Sequence, residues 1–98
     1  MCMLDKMRAK RDELYAIARR HKAERLWVFG SCARREERPD SDVDILVKFG
    51  DATTLFDQGA LRMDLCAALA RNVDVIDDGV LLREPYFAYA ARKDMVPL

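Results

Sequence analysis

Soft metal ligands are scarce in this chain. Its three cysteines, Cys2, Cys32 and Cys66, lie far apart, form no Cys-x-x-Cys pair, and share the sequence with a single histidine, His21. Neither a zinc site nor a disulfide framework follows from that set, and a reducing compartment is the expectation. Long apolar runs are lacking as well. Nothing approaches the ~18 residues of a membrane span, and the opening MCMLDKMRAKRDEL has no apolar core of the signal-peptide kind. The expectation is a soluble, cytoplasmic chain that does not enter a membrane. Four glycines and three prolines are too dispersed for a linker or a low-complexity tract, and no repeat is present. Net charge is absent too, with 17 Lys and Arg against 17 Asp and Glu.

What remains is a globular balance: 98 residues, 51% apolar and 35% charged. One domain over 1–98 is expected, burying roughly two-thirds of its extended-chain surface. A second domain closing over a substrate has no material here, so any chemistry needs a compact site. The zero charge conceals a division. Residues 1–39 carry 11 basic and 6 acidic side chains, and residues 40–98 carry 6 basic and 11 acidic. Such blocks fit nucleic-acid binding by one half, or an anion site facing a cation site.

Apolar residues at Leu4, Met7, Leu14, Ile17 and Ala18 predict one amphipathic helix from Leu4 to about Lys22. His21, at its end, is expected to be exposed. Arg25–Phe29 is a short aromatic and β-branched run stopped by Gly30, and so a buried strand. One or two helical turns over 31–38 are expected next, broken at Pro39-Asp40-Ser41. Asp42–Phe49 is a second strand, with Val43, Ile45 and Val47 on one side and Asp42 and Asp44 on the other. Residues 54–71 predict a helix with Leu55, Phe56, Leu61, Leu65, Ala68 and Leu69 available to the core. Val73–Ile76 is a third strand with Asp74 inside it, and a final helix starts at Pro85. The fold class is α/β (α+β): a small mixed sheet flanked by helices.

Two carboxylates at i and i+2 on a strand point the same way, with Cα atoms ~6.5–7 Å apart. They suit hard cations, which take oxygen ligands, and two-metal phosphoryl-transfer sites hold their ions ~3.5–4 Å apart. Asp74 is the natural third ligand if its strand neighbours the second. Burying three acids together without a cation would be costly, since repulsion adds to desolvation. Gly30-Ser31, at a strand end, allows close backbone approach to an anion, with free N–H groups at the start of a following helix. The Ser31 hydroxyl adds a donor, and Arg34 can face the same phosphate. Alone, each piece is commonplace: Asp-x-Asp pairs and Gly-Ser turns are mostly structural. Asp77-Asp78-Gly79 reads as a turn, which favours Asp74 as the third acid.

The order is what distinguishes the set: Gly30-Ser31, ten residues, Asp42-x-Asp44, a helix, then Asp74 in a strand. GSCARREERPDSDVDILVKF and LARNVDVIDDGVLLREPYFAYAARKDMVPL resemble the minimal nucleotidyltransferases of the DNA polymerase β-like superfamily. The resemblance spans roughly residues 10–98. It implies a polymerase β-like palm with an N-terminal helix over 1–24, a catalytic core over 25–78 and a C-terminal helical segment over 79–98. It further implies that Asp42 and Asp44 bind two Mg²⁺ ions and that Asp74 binds the catalytic ion and helps deprotonate the attacking hydroxyl. Gly30 and Ser31 would hold the triphosphate of ATP. Arg35 stands where that family usually has Gly.

Such minimal transferases act beside a small helical HEPN-type toxin. The resemblance therefore implies an antitoxin transferring AMP from ATP to a tyrosine hydroxyl of that partner, releasing pyrophosphate. The alternatives are a non-catalytic antitoxin acting by contact alone, or transfer to a small-molecule acceptor. No direct nucleic-acid binding is expected, and a homo- or hetero-oligomer fits the reading. Of the aromatics, Tyr86 and Tyr89 are those expected to face a partner.

Overall fold

A computed structural model describes residues 2–98. In chain order the elements are α1 (Met3–Ala9), α2 (Arg11–Arg20), β1 (Ala23–Phe29), β2 (Val43–Phe49), α3 (Leu55–Leu69), β3 (Val73–Asp77), α4 (Val80–Arg83), α5 (Pro85–Asp94) and β4 (Val96–Pro97). The strands form one mixed sheet in the order β3-β2-β1-β4. β1 runs antiparallel to β2 and β4, and β2 runs parallel to β3. A parallel neighbour needs a crossover, and α3 supplies it.

Strand alternation divides the side chains between two layers. Leu26 and Val28 of β1, Val43, Ile45 and Val47 of β2, and Val73 of β3 meet α1, α2 and α3 in the larger core. The intervening residues Phe29 and Leu46 meet Ala91 of α5, with Trp27, Ile76, Leu81 and Phe87 packed around them. Phe29 and Phe87 touch edge to face, ring centres 5.5 Å apart. Asp44 and Asp74 take the same alternation phase as Leu46 and Ile76, so the acids lie on the side of the sheet that α5 covers in part.

α3 starts at a capping box. Thr54 Oγ1 accepts from the Asp57 N–H, and the Asp57 carboxylate accepts from the Thr54 N–H. Leu61, Leu65 and Leu69 form its buried stripe. At about 100° per residue, Phe56 lies ~180° from Leu65 in the middle of that stripe, and Leu55 ~80° from it, in the first turn of the helix. They are accordingly 83% and 90% exposed rather than core residues, against the expectation. Tyr86 and Tyr89 are exposed as expected.

Three local expectations change. The N-terminal helix is two helices, which part at Lys10 without a glycine or proline. Lys10 sits at φ −100° and ψ 14°, and its Nζ donates to the Ala68 carbonyl at the end of α3, a contact no local pattern encodes. His21 is half-buried: its Nε2 lies 2.6 Å from Asp64 Oδ2 and links the end of α2 to α3. The short β4 pairs with β1 through Val96 and Pro97, where the sequence predicted no strand.

Candidate active site

The carboxylates are brought together by register. Asp44 and Asp74 are directly paired across the parallel β2–β3 ladder, and Phe29, the last residue of β1, is opposite Asp44 on the other flank. Asp42 lies one residue ahead of β2 and is exposed, whereas Asp44 and Asp74 are half-buried. Burial pushes the Asp44 carboxyl above its ordinary value of 3.8, and the negative charges of Asp74 and Asp42 push the same way. Three carboxylates thus bear on one locus strongly enough to disfavour ionisation at its centre.

Gly30 closes the locus from β1. It takes φ +72°, and a Cβ added there would sit 2.7 Å from Asp44 Oδ2. Only glycine meets both demands at this point. Of the expected one or two helical turns over 31–38, the following segment makes one, which ends by residue 35. It is a single turn in which Glu36 N–H donates to the Ser31 carbonyl and Arg35 N–H to the Cys32 carbonyl. These crossed bonds, with Arg35 at φ 61°, form the C-terminal lock of a helix on a segment too short to be one. The position taken by Arg35 is thus a left-handed one, of the kind that glycine adopts without strain. Arg35 is held there by its guanidinium, 2.8 Å from Asp5 Oδ2 and 3.0 Å from Cys2 Sγ.

Cys32 lies beneath the turn. It is buried, and burial pushes its thiol up to about 11, so it packs rather than reacts. Arg34 is engaged elsewhere: Nη1 donates to Asp94 Oδ2 of α5 at 2.7 Å, and Nε to Glu36 Oε2 at 3.2 Å. These bonds raise its already high pKa. Ser31 is half-buried next to Gly30. Asp77 Oδ1 accepts from the Gly79 N–H at 2.8 Å and so belongs to the turn after β3.

Among the described residues no three His, Cys, Asp or Glu side chains converge tightly enough to ligate one ion. What the structure brings together is a register-fixed pair, Asp44 and Asp74, with Asp42 beside it on a loop. All the donors are carboxylate oxygens, and their mutual repulsion is relieved by a hard divalent cation. The donor set therefore fits Mg²⁺, in chemistry if not yet in closed geometry. Among the described residues, no helix is long and apolar enough to cross a membrane.

The family model described as "Polymerase beta, Nucleotidyltransferase" matches residues 12–95. "Putative protein adenylyltransferase MJ0435" of Methanocaldococcus jannaschii is 39% identical over 64 residues, which cover 65% of this chain and 69% of that protein. A solved structure described as a "putative minimal nucleotidyltransferase" superposes with a TM-score of 0.83 at 36% identity, over 100% of this chain and 97% of the other. A chain from the complex of tri-AMPylated Shewanella oneidensis HEPN toxin with MNT antitoxin shares the fold, with a TM-score of 0.64 at 20% identity, over 93% and 70% of the two chains.

Proposed function

This chain belongs to the polymerase beta nucleotidyltransferase family, and from that premise we propose that it is an Mg²⁺-dependent protein adenylyltransferase. In this reading it is the antitoxin of a HEPN-type toxin and transfers AMP from ATP to a tyrosine hydroxyl of that partner. The observation that carries the reading is the pairing of Asp44 with Asp74 against the Gly30 turn. It supports the reading by bringing two carboxylates and a side-chain-free backbone position together in one small locus. The adenylyltransferase name of the archaeal relative supports the reaction class, and the fold shared with toxin-bound antitoxins supports the partner class.

Asp42, Asp44 and Asp74 would hold the ions, which when bound neutralise triphosphate charge and favour in-line attack. The chain's own residues do the rest by positioning. The glycine at 30 lets the triphosphate approach the backbone, and the Ser31 hydroxyl donates to it. Asp74 takes the proton of the tyrosine hydroxyl. The tyrosine oxygen then bonds to the α-phosphorus as the bond to the β-phosphate oxygen breaks, and pyrophosphate leaves. Arg34 reaches a phosphate by exchanging the Asp94 carboxylate for it, an exchange open to solvent on the arginine side.

The test is transfer of labelled AMP from ATP to the co-expressed toxin with and without Mg²⁺. Wild type should label the toxin on tyrosine only when Mg²⁺ is present, and Asp42→Asn or Asp44→Asn should abolish labelling. Full labelling by either variant refutes the assignment. Neutralisation of the toxin by an unlabelling Asp42→Asn/Asp44→Asn double variant would instead mean an antitoxin that works by contact.

A further inference from the structure

The three acids are not held in the same way. Asp44 and Asp74 are set by the β2–β3 ladder, but Asp42 precedes the strand and has no ladder partner of its own. Its neighbour Val43 donates to the Asn72 carbonyl at 2.9 Å, which marks where the ladder begins. Its own carbonyl takes only a long 3.9 Å contact from the Cys32 thiol, so the turn ahead of it carries most of its placement. Residues 38–41 close on themselves: Arg38 N–H donates to Ser41 Oγ at 2.9 Å and Ser41 N–H to the Arg38 carbonyl at 3.0 Å. One side chain from outside then clamps this turn. Arg71 Nη2 donates to the Arg38 carbonyl at 3.1 Å and also to the Ser41 carbonyl.

Arg71 is delivered to that position by the end of α3. Ala70 takes φ 52°, which stops the helix, and Arg71 N–H then donates back to the Cys66 carbonyl at 3.3 Å. Two residues later the same segment becomes β3 and carries Asp74. One short connection thus sets both the strand of Asp74 and, through Arg71, the approach to Asp42. Among the described residues Arg71 forms no ion pair with a carboxylate. Its charge is committed to two backbone carbonyls of a turn whose tip, Arg38-Pro39-Asp40, is exposed and adds nothing to the core.

We propose that Arg71 is the positioning residue of this site: its guanidinium clamps the 38–41 turn and thereby sets the Asp42 carboxylate where, with Asp44, it ligates a divalent cation. The proposal rests on the nucleotidyltransferase reading above. Both bonds leave one nitrogen, Nη2, whose two N–H directions are fixed by the guanidinium plane, whereas a lysine ammonium in its place reaches the carbonyls from a more flexible stem. Loss of a group that orients a metal ligand typically weakens metal binding or activity ~10–100-fold.

The test is Mn²⁺ binding to the purified chain by electron paramagnetic resonance titration, which needs neither ATP nor acceptor, followed by transfer kinetics. Arg71→Ala should weaken Mn²⁺ binding by ~10–100-fold and lower kcat to a similar degree, with KM for ATP within about threefold of wild type. Arg71→Lys should recover part of both losses. Arg62→Ala, which removes bonds to the Val73 carbonyl and Asn72 Oδ1 instead, should leave Mn²⁺ affinity within about threefold. If Arg71→Ala does not fold, Arg71→Gln carries the same comparison. Unchanged Mn²⁺ affinity in a folded Arg71 variant overturns the clamp while leaving the transferase reading intact. A wild-type chain that binds no Mn²⁺ overturns both.

Discussion

The sharpest perturbation is a single methyl group at Gly30. Alanine there must keep φ near +72°, and a non-glycine residue in the left-handed region costs ~1–2 kcal/mol. The smaller freedom of the unfolded alanine chain returns ~0.4–1 kcal/mol. The new Cβ would also lie 2.7 Å from Asp44 Oδ2, well inside ordinary contact, so the carboxylate has to move by several tenths of an ångström. Together these put the loss of stability at ~1–2 kcal/mol, or a fall in Tm of roughly 4–16 °C for a domain of this size. The displaced carboxylate is the centre of the candidate site, so AMP transfer should fall ~10²-fold or more, beyond what partial unfolding at 25 °C can explain. Gly59→Ala is the matched control, because nothing lies within 4 Å of a Cβ there and the position is inside α3. That variant should gain ~0.5–1 kcal/mol of stability and keep full transfer. Thermal melts and a single transfer assay on both variants suffice. A Gly30→Ala protein with wild-type Tm and wild-type transfer would refute the claim that this turn is shaped by its contact with Asp44.

Three further expectations follow from the same geometry. Asp44→Asn should abolish transfer yet stabilise the fold at pH 7. The folded-state Asp44 carboxyl lies above its ordinary 3.8, so the contribution of this one group to stability is fully present below that value and is lost as pH rises through the folded one; the advantage of Asn over Asp in chemical denaturation should therefore shrink towards pH 3. Cys32, with its thiol pushed up to about 11, should resist iodoacetamide at pH 8 in the folded chain and react on denaturation, as peptide mass spectrometry would show; rapid alkylation in the native state would contradict its burial. Thr54→Ala removes the α3 capping box and should cost ~1 kcal/mol, a fall in Tm of roughly 4–8 °C, without lowering transfer per folded molecule.

The candidate acids stand out in the sequence because their constraints are local or nearly so. Strand alternation gives Asp44 its side of β2, whereas Asp42, expected on the same strand, lies one residue ahead of it; the isolated Asp74 stands out in an apolar strand by the same alternation. Where tertiary contacts outweigh local pattern, legibility failed. The break at Lys10 comes with a bond to Ala68 on another helix, and the exposure of Phe56 depends on which stripe of α3 meets the sheet. Helical turns over 31–38 were a fair reading of composition, yet the crossed bonds from Glu36 and Arg35 close the segment after one turn.

The opening scarcities keep their meaning in the folded chain. With one histidine and three scattered cysteines, carboxylate oxygens are the donors left for a metal, and hard divalent cations are what such donors bind. That much, with the family pattern, is determined by sequence, since it depends on residue type and order. Which carboxylates meet is decided by the fold: a parallel register pairs Asp44 with Asp74 and excludes Asp77, which turns back to the Gly79 N–H. The fold also decides that Arg34 rests on Asp94 and that Arg71 holds the approach to Asp42. Arg34 and Asp94 are 60 residues apart and Arg71 and Arg38 are 33 apart, and contacts at such separation exist only once the sheet and its crossover have formed.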